Sequence, residues 1–113
     1  MHEMGIAQDM LKVALEYATK NKARRITQFN VEMSAAADES EDSLRFYLES
    51  LTRGTLAEGA QVQIARVPTQ GKCFDCAGDF LWTPDLVACP HCSSPRVRPV
   101  VHDEFRLTSI DVE

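Results

Sequence analysis

No stretch of the 113 residues approaches the length of apolar chain that spans a bilayer. The N-terminus also lacks the basic stretch, apolar run and small-residue cleavage site of a secretory leader. These absences set the expectation of a cytosolic protein without a membrane partner. Positive charge is in short supply: 12 Lys and Arg stand against 17 Asp and Glu, a formal net charge of -5. That balance disfavours a nonspecific binder of phosphate backbones. Low-complexity segments and internal repeats are missing, and a composition of 44% hydrophobic and 26% charged residues argues against long disorder. A Ser/His/Asp constellation, a phosphate loop and an open catalytic metal set are missing as well, so the chain is expected to be noncatalytic.

Cysteine is scarce, and its four copies are all placed in two pairs. Cys73 and Cys76 form one CxxC, and Cys89 and Cys92 form a second after a spacer of twelve residues. Each CxxC folds as a tight knuckle that aims two sulfurs at one point, and two knuckles make the four-sulfur cage of a closed structural zinc site. A reducing cytosol favours metal ligation over disulfides. A thioredoxin-like dithiol fits poorly, because neither pair opens a helix at the end of a strand. With four thiolates and no open coordination position, the metal has no water to activate, so its role is to hold structure. His91, inside the second knuckle, and His102, beyond it, read either as solvated surface histidines or as occasional ligands.

Around this lobe the apolar pattern predicts a small α+β core. Ile6, Ala7, Met10, Val13, Ala14, Tyr17 and Ala18 recur at helical spacing between Gly5 and about Lys20. Thr27, Phe29, Val31 and Met33 alternate with Gln28, Asn30 and Glu32 as in a half-buried strand. Asp38 or Ser40 is placed to cap a second helix, with Asp38 and Glu41 at capping-box spacing and Leu44, Tyr47, Leu48 and Leu51 as its apolar stripe. Gly54 then stops the helix. Strands are predicted over Gln61 to Val67, ending at Pro68, and over Phe105 to Val112. In the latter, Phe105 and Leu107 fall in one phase and Ile110 and Val112 in the other, which implies a bulge or two covered faces. The expected fold class is therefore α+β: a small sheet with two helices, plus an inserted zinc-ribbon lobe. Residues 1–70 and 100–113 would form the core and 71–99 the lobe. The lobe would leave and return through adjacent strands, with a short strand at residues 1–4 laid beside them.

The first three residues carry a second candidate site. The terminal amine of Met1, the backbone nitrogen beside it and the imidazole of His2 close fused chelate rings in the square plane that nickel(II) prefers with nitrogen donors. One position of the plane is left for another donor. Alone, a histidine at position two also reads as coincidence.

Three features taken together resemble the HypA/HybF family of hydrogenase maturation nickel metallochaperones. They are Met1-His2-Glu3-Met4 at the start, the two cysteine pairs, and Leu107-Thr108-Ser109-Ile110-Asp111-Val112-Glu113 at the close. Leu44-Arg45-Phe46, Gly54-Thr55 and Glu58-Gly59-Ala60 extend the likeness. The resemblance implies a nickel-binding segment at Met1, His2 and Glu3, and zinc held by Cys73, Cys76, Cys89 and Cys92. It also implies delivery of nickel to the nickel-iron hydrogenase large subunit with the GTPase HypB, with urease maturation proteins as further partners and a homodimer as a compatible state. The family usually has glycine after the last cysteine, where this chain has Ser93. From a different class, a zinc-ribbon adaptor for nucleic acid or protein, without nickel transfer, remains the alternative. Lys72, Arg96 and Arg98 against Asp75, Asp79 and Asp85 make a poor phosphate footprint for the nucleic-acid version.

Overall fold

The computed structural model describes residues 2–34, 40–83, 85–100 and 105–113. Met1, Asp38 and His102 lie outside them.

Helix α1 runs over His2–Lys20, so residues 2–4 are helical where a strand over residues 1–4 is expected. Glu3 sits in the first turn, where a carboxylate is favoured by the helix dipole, and the chain stays helical from there to Lys20. Its buried stripe also differs from the expected one. Ala7, Met10, Ala14 and Ala18 are buried, with Leu11 and Leu15 partly buried beside them, whereas Val13 and Tyr17 are 53% and 64% exposed. Three alanines in that stripe keep the face small, and α1 packs mainly on helix α2, Glu41–Leu51. There Leu44 and Leu48 are buried and Tyr47 and Leu51 pack on the same core, as their spacing predicts. Ser40, not Asp38, is the N-cap: its hydroxyl accepts from the Ser43 N–H at 3.2 Å. Glu41 is thus the first helical residue rather than the partner in a capping box.

Strand β1 covers Ile26–Ser34 and supplies Ile26, Phe29 and Val31 to the core. The buried face shifts phase at Thr27 and Gln28, so Ile26 takes the inward place that strict alternation gives Thr27. Thr27 instead donates its hydroxyl to the Asp111 carbonyl at 3.2 Å. Replacing Phe29, fully buried here, with alanine should cost about 3–5 kcal/mol of stability, read as a lower midpoint in urea unfolding followed by circular dichroism.

After α2, Gly54 and Gly59 take φ of 77° and 79°, a left-handed conformation open to glycine at little cost. Between them the Thr55 hydroxyl donates to Thr52 O at 2.6 Å, and Glu58 accepts from the Gly54 N–H at 2.9 Å. Ala57, fully buried, is anchored by this turn. Strand β2 follows over Gln61–Val67, then β3 over Thr69–Cys73, β4 over Asp79–Trp82, β5 over Val97–Val100 and β6 over Phe105–Val112.

These strands make two sheets, ordered β2-β1-β6 and β4-β3-β5. The strand ends at Val67 and Phe105 therefore do not lie on neighbouring strands, as the sequence reading required; β1 stands between them. The reason is burial: β1 carries the most apolar face and takes the centre, and the half-covered β2 and β6 take the edges. Strands β1 and β6 run antiparallel, since Arg25 meets Glu113, Asn30 meets Ser109 and Glu32 meets Arg106.

The chain divides into two compact units, one of Met1–Glu32, Glu39–Ala65 and Phe105–Glu113, the other of Met33–Asp38 and Arg66–Glu104. In the second unit β3 is central, pairing antiparallel with β4 (Gly71 opposite Phe80) and with β5 (Gly71 opposite Pro99). A β-carbon on Gly71 would overlap the Phe80 ring, so glycine is what lets that ring lie across the strand. Among the described residues, no helix is long and apolar enough to cross a membrane.

Candidate metal centre and family membership

The four sulfurs of Cys73, Cys76, Cys89 and Cys92 come together, all within 4.8 Å of one another. Cys73 and Cys92 are 3.6 Å apart and Cys76 and Cys89 3.7 Å. These separations are far beyond a disulfide bond of about 2.05 Å. They match the edge of roughly 3.8 Å that follows from a tetrahedron with metal–sulfur bonds of about 2.3 Å. The donor set fits a structural zinc ion.

The two knuckles are built alike, residue by residue. Sγ of Cys73 accepts from the Asp75 N–H at 3.4 Å, and Sγ of Cys89 from the His91 N–H at 3.3 Å. Each chain then turns back, Ala77 N–H donating to Cys73 O at 3.1 Å and Ser93 N–H to Cys89 O at 2.8 Å. Finally Cys73 N–H donates to Gly78 O and Cys89 N–H to Ser94 O, at 3.1 and 2.8 Å. The backbone N–H groups thus face sulfur, where negative charge gathers. The turn forces Ala77 and Ser93 to φ of 57° and 64°, which costs a residue with a β-carbon about 1 kcal/mol. Changing both to glycine should therefore tighten the lobe, read as slower zinc loss to a chelator.

Side chains tie one knuckle to the other, and the cysteine spacing gives no sign of them. Asp75, inside the first knuckle, accepts from the Ser94 hydroxyl and from Arg96 Nη1, the latter at 3.1 Å. Phe74 N–H donates to Arg96 O at 2.9 Å, and the Arg96 and Arg98 guanidinium carbons lie 5.8 and 5.2 Å from the Phe74 ring centre. His91 is exposed, with its Nε2 3.0 Å from the Asp79 carbonyl and its ring beside Gly78. It joins the second knuckle to β4 and does not enter the sulfur cluster.

Without a cation Cys73, Cys76 and Cys92 resist joint ionisation. The Cys76 N–H lowers the Cys73 thiol to about 7, against burial, with help from the Asp75 N–H. Cys92 behaves in the opposite way: the Ser94 N–H favours its thiolate, but burial and the three neighbouring thiols outweigh it and push the group up to about 12. Cys76 is raised for similar reasons, the Gly78 N–H being overcome by burial and by Cys89. Cys73 ionises readily while charge on Cys76 and Cys92 is opposed, so a divalent cation is what stabilises their thiolates together.

The N-terminal candidates are placed differently. His2 is the first residue of α1 and Glu3 lies in its first turn, half-buried. No cysteine belongs to the unit that contains them.

Comparison with known proteins gives the same picture along the whole chain. Residues 1–112 match the family model described as "Hydrogenase/urease nickel incorporation, metallochaperone, hypA". The hydrogenase maturation factor HypA of Geobacter sulfurreducens is 35% identical over 113 residues, and that of Azotobacter vinelandii 34%, with both chains covered in full. Among solved structures, the nickel metallochaperone HypA from Helicobacter pylori superposes with a TM-score of 0.66 at 21% identity, covering 97% of this chain and 96% of that one. A second HypA solution structure gives 0.71 at 24% identity, covering 100% and 97%. The chain belongs to the HypA family, the nickel-incorporation metallochaperones of hydrogenase and urease maturation.

Proposed function

We propose that this protein carries nickel(II) on its N-terminal segment, with Met1, His2 and Glu3 as the binding residues. Cys73, Cys76, Cys89 and Cys92 hold a structural zinc ion. The nickel is handed on for maturation of a nickel-iron hydrogenase. The observation that carries the reading is the family match itself, which begins at residue 1 and so includes the Met-His-Glu start.

The helix gives the start a definite chemistry. In an α-helix the first N–H groups have no intrahelical acceptor, so the His2 amide nitrogen opening α1 is not committed to a backbone bond. With a free α-amine on Met1, the amine, that amide and the imidazole form adjoining chelate rings in one plane. A dication at the positive end of a helix meets an unfavourable dipole interaction of about 0.3–1 kcal/mol. Glu3 in the first turn and ionisation of the amide offset a cost of that size.

The GTPase HypB and the hydrogenase large subunit are the partners this reading names, with urease maturation proteins as further ones, and the cytoplasm as the compartment. Its chemistry is binding and release, with no bond of a substrate made or broken. Titration of untagged, zinc-loaded protein with nickel, followed by the absorption of a square-planar nickel–nitrogen complex, tests the proposal. Saturable binding supports it. Indifference to nickel by protein with a free amine removes it.

A further inference from the structure

Four of the 12 cationic residues fall within six positions, Lys20, Lys22, Arg24 and Arg25, in a chain whose net charge is -5. All four are exposed. Arg25 is paired with Glu113 at 3.0 Å. Among the described residues Lys20, Lys22 and Arg24 make no ion pair, although Glu16 stands one helical turn before Lys20. The negative end of the α1 dipole favours a cation in the last turn and fades beyond it, so it accounts for Lys20 and not for Arg24.

Lys22 adds a second observation. Its N–H donates to Thr19 O and the Ala23 N–H to Ala18 O, at 3.1 and 2.9 Å, which closes α1 in a Schellman motif with Lys22 at the left-handed position. Its φ is 57°, where glycine fits at less cost. A lysine held in that conformation, with its charge unpaired in solvent, points to a use for the charge.

These cations close one end of an apolar groove. The groove, of ≈ 320 Å³, runs between α1 and β6 and is lined by Val13, Ala14, Tyr17, Leu107 and Ile110. That volume is at the lower end of ligand pockets, about 300–1,000 Å³, and suits one or two large side chains. Val13 and Tyr17 are more than half exposed there. Val13, Tyr17 and Lys20, at i, i+4 and i+7, share one stripe of α1. Strand β6 ends beside the same cations, where the Arg24 N–H donates to Glu113 O at 2.7 Å. Both walls thus lead from an apolar trough to a basic end.

We propose that this groove is the docking site for an acidic segment of a protein partner. Its apolar side chains sit between Tyr17 and Ile110, and its carboxylates meet Lys20, Lys22 and Arg24. Complementary charge of this kind steers encounter and fixes the register of the bound segment. A nucleic acid would find few free cations on an acidic chain, and the apolar trough offers nothing to its phosphates. At about 1.5 Å per residue, His2 and Lys20 lie roughly 27 Å apart along α1. A partner held at the basic end therefore leaves the N-terminal segment uncovered, so the protein can be docked and loaded at once. That last consequence rests on the reading of Met1, His2 and Glu3 as the nickel segment; the docking does not.

The probe is a short fluorescein-labelled peptide of leucines flanked by glutamates, titrated with the full, zinc-loaded chain without nickel. Anisotropy should show saturable binding with a dissociation constant below about 100 μM at low salt. Raising the ionic strength from about 0.05 to about 0.5 M should weaken it by about tenfold. Arg24→Glu and Tyr17→Ser, both at exposed side chains, should each weaken binding by about fivefold or more. Lys22→Gly separates a binding role from a structural one: the variant should withstand urea at least as well as the unmodified protein and still bind the peptide less tightly. Peptide-induced amide shifts in nuclear magnetic resonance should cluster at residues 13–24 and 107–110. No binding up to about 1 mM peptide, binding indifferent to all three substitutions, or shifts confined to other residues would overturn the proposal. So would tighter binding of phosphatidylserine vesicles or single-stranded DNA than of the peptide, which would assign the basic end to another ligand. Because nickel is absent from the experiment, its failure leaves the nickel reading standing, and a chain indifferent to nickel can still bind the peptide.

Discussion

Replacing His2 with alanine is expected to weaken nickel binding by about 100-fold or more while leaving the zinc content unchanged. Loss of a group that merely orients a metal ligand costs 10- to 100-fold in affinity, and loss of the ligand itself exceeds that. Alanine is the best helix former, so α1 is not put at risk by the change. The zinc unit shares no ligand with the nickel segment, since all four cysteines fall between Arg66 and Glu104. The pH dependence gives a second readout with a definite sign. The donors bind nickel only when deprotonated, and an α-amine titrates near 8 and an imidazole near 6.5. Affinity should therefore fall as pH drops: the amide proton released on binding gives about tenfold per unit throughout, the amine raises this to about 100-fold per unit below 8 and the imidazole to about 1,000-fold per unit below 6.5. A dye-competition titration over that range measures it. Affinity that stays level from pH 8 to 6 would remove the amine and imidazole from the ligand set. The same titration on acetylated protein separates the two: blocking the amine leaves only the imidazole step.

The parts of this molecule visible in the sequence are those in which one residue type does one job. Leu44, Leu48 and Leu51 recur at helical spacing because an aliphatic side chain there has no use but burial, and α2 forms on them. The cysteine pairs announce a cage because thiols at that spacing converge, and their sulfurs do converge. Strand β3 was harder to see although its burial alternates faithfully, Thr69, Gly71 and Cys73 inward and Gln70 and Lys72 outward. Its inward residues are a hydroxyl, a glycine that makes room for Phe80 and one of the four clustered cysteines, none of which registers as apolar. Strand order was hidden for a different reason. Alternation tells which face of a strand is buried and not which neighbours flank it, so it leaves β2 and β6 free to be adjacent where β1 in fact separates them. Helix α1 misled through Val13 and Tyr17, apolar residues at plausible spacing that stay at the surface. Asp75, Ser94 and Arg96 fix the two knuckles to each other through contacts across 19 and 21 positions of sequence, and no local pattern encodes them.

Withdrawing zinc with a strong chelator is expected to unfold the second unit and leave the helices of the first in place. Among the second unit's described residues those buried are Met33, Thr69, Cys73, Cys89 and Ser94, and of these Met33 alone is a large hydrocarbon-like side chain. A three-stranded sheet with so small a core does not bury enough apolar surface to offset the entropy of ordering its chain. Structural zinc supplies roughly 10–16 kcal/mol of binding free energy, more than the whole stability of most domains. The ion pairs of the lobe cannot replace it, because Arg96–Asp75 and Lys72–Asp79 are exposed and such pairs contribute about 0–1 kcal/mol. The first unit keeps its own core of Phe29, Leu44, Leu48 and the α1 alanines. Circular dichroism should thus show helix retained, while amide exchange in Thr69–Cys73, Asp79–Trp82 and Val97–Val100 becomes fast. Acid should reach the same end by linkage. Cys76 lies above its ordinary 9.0 and Cys92 near 12, so in the metal-free lobe both carry protons at pH 7 and zinc must displace them. These two protons alone make zinc affinity fall by at least about 100-fold for each unit of pH lost, and Cys73, at about 7, adds a further proton below that point. A zinc affinity that changes less than about tenfold between pH 8 and 7, or a lobe that stays protected after the metal is gone, would mean that the sheet stands without its ion.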